Sequence, residues 1–206
     1  MEGINQEYLD SLNHIEYTGL EEYLKEYAKI HDVPIIMDEG LVFLRQMMMI
    51  KNPKRILEIG TAIGYSALNM ARFSNAIIDT IEIDEDSYKF ASDIISKTIY
   101  KDRINLIHND ALLVDLDEKY DFIFIDAAKA QYIKFFTKFK ENLNDNGIIF
   151  TDNLVFHGLV TEKIYSRNLR QLVGKIKKYN EWVLKQEDFF TYIYNIGDGI
   201  AISVKK

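Results

Sequence analysis

Asp126, Lys129, Asp152 and Asn153 are the residues in this chain whose types and spacing could do chemistry together. The segment DFIFIDAAKAQY, residues 121–132, ends an apolar run on Asp126 and puts Lys129 three residues later. A second apolar run, IIFTDN, ends on Asp152 and Asn153. Two carboxylates and an amide oxygen at strand ends are the donor set of a hard cation, Mg²⁺ or Mn²⁺, which keeps positions open for substrate. A hydroxyl held there would lose its proton more readily, and Lys129 stands where a general base would take it. The competing reading is plain structure, because acidic residues after strands often cap the next helix.

These residues need a frame that brings strand ends together. From Pro53 onward, apolar strands alternate with amphipathic helices: RILEIG, IIDTIEI, INLIHN, DFIFID and IIFTDN, with YSALNMARF, DSYKFASDIISKTI and YIKFFTKFKENL between them. Near-continuous apolar runs separated by helices predict a parallel sheet covered on both faces. Past a basic helix, FFTYIYNIGDGIAISVKK reads as a hairpin about Gly197-Asp198-Gly199. The expected fold is therefore α/β, a doubly wound Rossmann-like sheet of seven strands, mostly parallel with a C-terminal antiparallel hairpin. Residues 1–50 read as an N-terminal helical extension: YLDSLN, GLEEYLKEYAKIHD, and a third helix beginning near Pro34 and running through LVFLRQMMMI, with Met47 to Met49 as core filler. Residues 53–206 form the core of what reads as a single domain.

A cofactor reading follows from the same edge. Gly60 and Gly64 in EIGTAIG lie between the first strand and first helix, where backbone N–H groups are free to meet a ligand. Glu82 ends the second strand, where an acid would accept two ribose hydroxyls, and Asp110-Ala111 end the third, where an adenine would be gripped. The G-x-x-x-G spacing lacks the third glycine of a dinucleotide fold, which argues against a nicotinamide dehydrogenase.

Bulk properties narrow the classes. The chain has 206 residues, 48% hydrophobic and 28% charged, with no cysteine, so disulfides, zinc thiolates and thiol nucleophiles are excluded. No apolar run approaches the ~20 residues of a membrane helix. The acidic, polar start reads as neither signal nor transit peptide, and the cytoplasm is the expected compartment. A net charge of −7 is the wrong sign for a coat on nucleic acid. However, Lys163, Arg167, Arg170, Lys175, Lys177, Lys178 and Lys185 face only Glu181 in their stretch. That excess either solvates a helix face or meets a polyanion, and a non-catalytic RNA-binding module is a further reading of it.

With these residues placed, the chain resembles the class I S-adenosylmethionine-dependent methyltransferases. More narrowly it resembles their metal-dependent O-methyltransferases, which include catechol and caffeoyl-CoA enzymes. The resemblance rests on LEIGTAIGYSAL, TIEID, FIDAAKAQY and TDN. It implies that Glu82 holds the ribose, Asp110 and Ala111 the adenine edge, Ser66 the methionyl end, and that Gly60 and Ile36 line the cofactor. Asp126 would serve cofactor and metal, with Asp152 and Asn153 completing the metal set and Lys129 as base. Within the family, VPI, AAKAQY, residues 151–160, LVGKIKKYNEW and GDGIAIS are most similar to the bacterial tRNA 5-hydroxyuridine methyltransferases. This implies tRNA, through its anticodon loop, as substrate, with Arg167, Arg170 and Lys175 toward the RNA, Tyr132 or Phe156 available to stack on the base, and a homodimer built on the N-terminal helices. Two features depart from that pattern: the loop after Val160 is short with dispersed basic residues, and Ile36 replaces a methionine common in relatives. A small-molecule catechol-type or caffeoyl-CoA-like O-methyltransferase is the alternative, since a catechol and 5-hydroxyuracil both offer two adjacent oxygens.

Overall fold

The computed structural model describes Tyr8 and residues 11–206. Helix α1, Gly19–Ile30, opens on a capping box in which the Glu21 N–H donates to the Thr18 hydroxyl and the Glu21 carboxylate accepts the Thr18 N–H at 2.6 Å. The helix expected over 8–13 lies partly outside the described residues. Helix α2 spans Asp38–Lys51. It starts later than Pro34 predicts, because Pro34 to Ile36 run without helix along a cavity wall, with Ile36 4% exposed. Of the three consecutive methionines only Met48 is core; Met49 is 67% exposed.

Strand β1, Arg55–Ile59, leads into α3, Tyr65–Arg72. Then come β2 (Ile77–Glu82), α4 (Glu85–Ser96), β3 (Ile104–His108) and β4 (Tyr120–Ile125). A 3₁₀ turn, Lys129–Gln131, precedes α5, Tyr132–Phe139, and a second, Lys140–Asn142, follows it. Helices α4 and α5 are thus shorter than their apolar patterns suggest. Strand β5 is Leu143–Thr151, helix α6 is Arg167–Val183, and the hairpin is β6 (Phe189–Tyr194) with β7 (Ile200–Lys205).

The seven strands run in the order β3-β2-β1-β4-β5-β7-β6, with β7 antiparallel to both neighbours and the other pairs parallel. Burial on both faces explains the continuous apolar strands. One core layer gathers Leu24, Leu41, Leu44, Phe122 and Phe150; the other gathers Ile123, Ile125, Phe136, Tyr179 and Val183. The chain goes from β1 to β2 on one side, and β4 pairs with β1 on the other, so the strand order reverses between β1 and β4. Ligands in such sheets bind outside the carboxyl ends at that switch.

The N-terminal helix is fastened by charge as well as by packing. Glu21, 4% exposed, pairs with Arg45 of α2 at 3.0 Å and with Arg72 of α3 at 2.7 Å, while Arg45 also donates to the Asn69 side chain. Burial works against its charge, but the Thr18 N–H and the two arginines hold the Glu21 carboxyl below its usual range. These contacts dock α1 against α2 and α3. No helix among the described residues is long and apolar enough to cross a membrane.

Candidate active site

Backbone bonds that prolong the parallel ladder fix the acidic side chains at the sheet's carboxyl edge. The Asp126 N–H donates to the Ile59 carbonyl and the Asp152 N–H to the Ile125 carbonyl, both at 3.1 Å. Each aspartate is therefore the first residue past its strand, held in line by the neighbouring strand. Gly60 makes this edge possible. Its φ is +98°, and a Cβ there would run into the Asp126 carbonyl oxygen, so only glycine lets the two strand ends come this close.

A cavity of about 350 Å³ opens at this edge. Ile36, Gly60, Ser66, Glu82, Asp110, Ala111, Asp126 and Lys129, all singled out from sequence, line it. Glu82 is the last residue of β2; its carboxylate accepts the Ala62 and Asp84 N–H groups, each at 2.8 Å. A carboxylate has about four acceptor sites, so capacity remains for a ligand's hydroxyls. Asp110 and Ala111 lie in the turn past β3, not at its end, where Asp110 accepts the Leu112 N–H at 2.8 Å.

Beneath the cavity floor lies a network the sequence did not disclose. Glu58 is fully buried in β1 and accepts hydrogen bonds from Ser66 and Thr80, each at 2.5 Å, while Thr80 also meets Thr61. Burial pushes the Glu58 carboxyl up to about 7, partly offset by those hydroxyls. Ser66 is thus oriented from below, and its oxygen stays at the cavity wall.

Asp152 and Asn153 do not line this cavity but adjoin it through Asp126. The Asn153 amide donates to the Asp126 carboxylate at 2.8 Å, and the Tyr132 hydroxyl donates to the Asp152 carbonyl at 3.1 Å. Tyr132 is 1% exposed, which removes it as a base-stacking residue: it packs edge-on against Tyr179. Loss of water pushes the Asp126 carboxyl upward against the pull of Lys129. Loss of water and then the facing Asp126 charge push Asp152 upward too. Two carboxylates pressed together with oxygen-rich neighbours fit a hard divalent cation, which would relieve their repulsion. Among the described residues, no three Asp, Glu, His or Cys side chains converge closely enough to share one ion, so the candidate set is two carboxylates and one amide.

Lys129 begins the 3₁₀ turn after β4, and its ammonium sits 5.5 Å from the centroid of the Phe156 ring. Phe156 belongs to a tight loop in which Asn153, Phe156 and His157 all have positive φ. Beyond it a second cavity, about 410 Å³, is bordered by Met37, Val155, His157 and Asp198. Met37, which borders it, follows Ile36 of the first cavity's lining directly in the chain. His157 is solvent-exposed, its side chain 69% accessible.

Arg167, Arg170 and Lys175 stand apart from these cavities on α6. Tyr179 bonds to Thr151 at 2.7 Å and Asn180 to the Leu154 carbonyl at 2.9 Å, which puts the second half of α6 level with the end of β5. The first half therefore extends past the carboxyl edge, about 18 Å from Arg167 to Tyr179 at ~1.5 Å per residue.

A family model described as O-methyltransferase matches residues 11–206. The chain belongs to that family. A Staphylococcus aureus protein provisionally called a caffeoyl-CoA O-methyltransferase is 39% identical in sequence, with a TM-score of 0.90 over 98% of this chain and 99% of its own. Caffeoyl-CoA O-methyltransferase of Populus kitakamiensis is 28% identical over 206 residues, covering 90% of this chain and 87% of that protein. The SAH-bound methyltransferase PaMTH1 of Podospora anserina, 22% identical, shares the fold with a TM-score of 0.85 over 100% of this chain and 98% of its own. The seven-stranded mixed sheet described above is therefore the methyltransferase fold.

Proposed function

We propose that this enzyme carries out S-adenosylmethionine- and Mg²⁺-dependent O-methylation of 5-hydroxyuridine at the tRNA wobble position, giving 5-methoxyuridine. The observation that carries the RNA substrate is the basic face of α6. Arg167, Arg170, Lys175, Lys177 and Lys178 are exposed, and among the described residues none pairs with an acidic side chain. Next to Arg167, Tyr165 is 81% exposed with Lys163 over its ring. A basic surface interleaved with an exposed aromatic suits single-stranded nucleic acid, where phosphates meet cations and bases stack. The wobble base of an anticodon loop can be splayed out at modest cost.

In this reading Glu82 accepts the ribose hydroxyls of S-adenosylmethionine, Asp110 and Ala111 border the adenine, and Ser66, held by Glu58, meets the methionyl end. S-adenosylmethionine supplies an electrophilic methyl on sulfur. Asp126, Asp152 and Asn153 would hold Mg²⁺ or Mn²⁺, which favours an acceptor with two neighbouring oxygens and eases loss of a hydroxyl proton. Lys129 takes that proton. Phe156, its ring 5.5 Å from the Lys129 ammonium, would border the acceptor ring.

A second reading, a small-molecule catechol-type or caffeoyl-CoA-like enzyme, is favoured by the relatives that match the chain along most of its length. We place the enzyme in the cytoplasm, as a tRNA substrate requires. We also propose a homodimer, since α2 leaves Met49 and Ile50 67% and 75% exposed; sedimentation at micromolar concentration tests this. For the main proposal, nucleosides from bulk tRNA of cells with and without the gene decide. Loss of 5-methoxyuridine with accumulation of 5-hydroxyuridine supports it, and an unchanged profile refutes it.

A further inference from the structure

Asp198 lies between two glycines in the β6–β7 turn and is 3% exposed. One carboxylate oxygen accepts the His157 backbone N–H, and the other, Oδ2, is buried with no hydrogen-bond partner among the described residues. Leaving a buried acceptor unsatisfied costs about 1–3 kcal/mol, and more when it is charged. The backbone offers no freedom to relieve this. Leu154 donates to the Gly199 carbonyl at 2.9 Å and Val155 to the Asp198 carbonyl at 2.8 Å, zipping the turn to the segment just after Asn153. At Gly199 a Cβ would come within 2.9 Å of the Val155 nitrogen. Asp198 is thus fixed against the segment that follows Asn153, and its charge works in the same direction as burial on Asp126 and Asp152, raising both.

Resting on the divalent-cation reading above, we propose that Asp198 strengthens cation binding by the Asp126–Asp152–Asn153 site without touching the ion. Its charge would offset part of the cation's, and the unpartnered Oδ2 keeps acceptor capacity that a water of the hydrated ion could use. Asp198 would add a third carboxylate charge to those of Asp126 and Asp152 for a divalent ion to offset. Outer groups of this kind are typically worth 10–100-fold in metal affinity. Asp198 is in this sense a positioning residue, acting through the site's field and not on the acceptor.

The test is Mn²⁺ titration by calorimetry in the presence of SAH and without acceptor. It compares wild type, Asp126→Asn, Asp198→Asn and Asp198→Ser. Asparagine and serine can each still accept the His157 N–H, so the loop anchor survives while the charge is lost. A thermal melt of each variant reports folding, and whichever neutral variant folds is read. We expect one Mn²⁺ site in wild type, none in Asp126→Asn, and affinity lowered about 10-fold in the neutral Asp198 variants, with SAH affinity in metal-free buffer unchanged. Wild-type Mn²⁺ affinity in a folded neutral variant overturns this proposal alone. No Mn²⁺ binding by wild type overturns the cation reading and this proposal with it.

Discussion

The Asn153 side-chain amide donates to the Asp126 carboxylate across 2.8 Å, joining the turn after β5 to the end of β4. This bond brings the three candidate cation ligands together, since Asp152 precedes Asn153 and is itself buried against Asp126. It couples the fold's two central strand ends to the chemistry assigned to them.

Because Asp152 and Asp126 repel, the site is built at some expense of stability. Asp152→Asn should melt no lower than wild type in EDTA while losing methyl transfer by 10³-fold or more. Added Mg²⁺ should raise the melting temperature of wild type, by mass action on the folded state, and leave the variant unmoved. A variant that is fully active, or that gains the same Mg²⁺ shift, removes Asp152 from the ligand set.

Lys129 is assigned the acceptor's proton. Lys129→Met should lower kcat by roughly 10²–10⁴-fold, the usual worth of a general base, with SAH affinity and melting temperature within error of wild type. Retained turnover would exclude Lys129 as the base.

Gly60→Ala tests the close approach of β1 and β4. The added methyl meets the Asp126 carbonyl in a backbone conformation that costs alanine roughly 1–2 kcal/mol before any clash. Urea unfolding should show a loss of at least ~2 kcal/mol together with weakened SAH binding. A neutral effect would mean that the strand ends can separate freely.

Glu58 gives a pH signature with a defined sign. A carboxyl raised to about 7 in the folded protein binds a proton there that the unfolded chain has already lost. Its contribution to stability therefore falls as pH rises between the unfolded value near 4.5 and 7. Glu58→Gln removes this dependence. Relative to wild type, the variant should gain about 2 kcal/mol between pH 5.5 and pH 8 by urea unfolding. Parallel stability curves would contradict the buried, proton-binding Glu58.

Much of this site was legible in the sequence because strand ends announce themselves. Asp126, Asp152 and Glu82 each close a run of apolar residues, and the parallel sheet carries such residues to one edge. Helix starts were less legible. Pro34 suits a first turn, yet Ile36 is needed against the cavity and the helix waits for Asp38. Tyr132 looked available for stacking, but its ring is sealed under α6 by a contact with Tyr179, 47 residues away in sequence. The Glu58–Ser66–Thr80 network was missed because Glu58 sits in a run otherwise read as apolar strand. Asp198 is not legible because an acid between two glycines is explained by a turn, and only the bonds from Leu154 to Gly199 and from Val155 to Asp198 bring that turn to the segment after Asn153.

Methyl transfer to 5-hydroxyuridine in tRNA can be read directly with purified components. Purified enzyme, S-adenosylmethionine and Mg²⁺ are incubated with tRNA carrying 5-hydroxyuridine or with a free catechol, and products are read by mass spectrometry. Wild type should form 5-methoxyuridine, abolished by EDTA. Arg167→Glu/Arg170→Glu should raise KM for tRNA about 10-fold or more, with a shallower salt dependence, while any turnover of catechol stays unchanged. Turnover of catechol with no 5-methoxyuridine in tRNA would contradict the account and assign the site to small molecules.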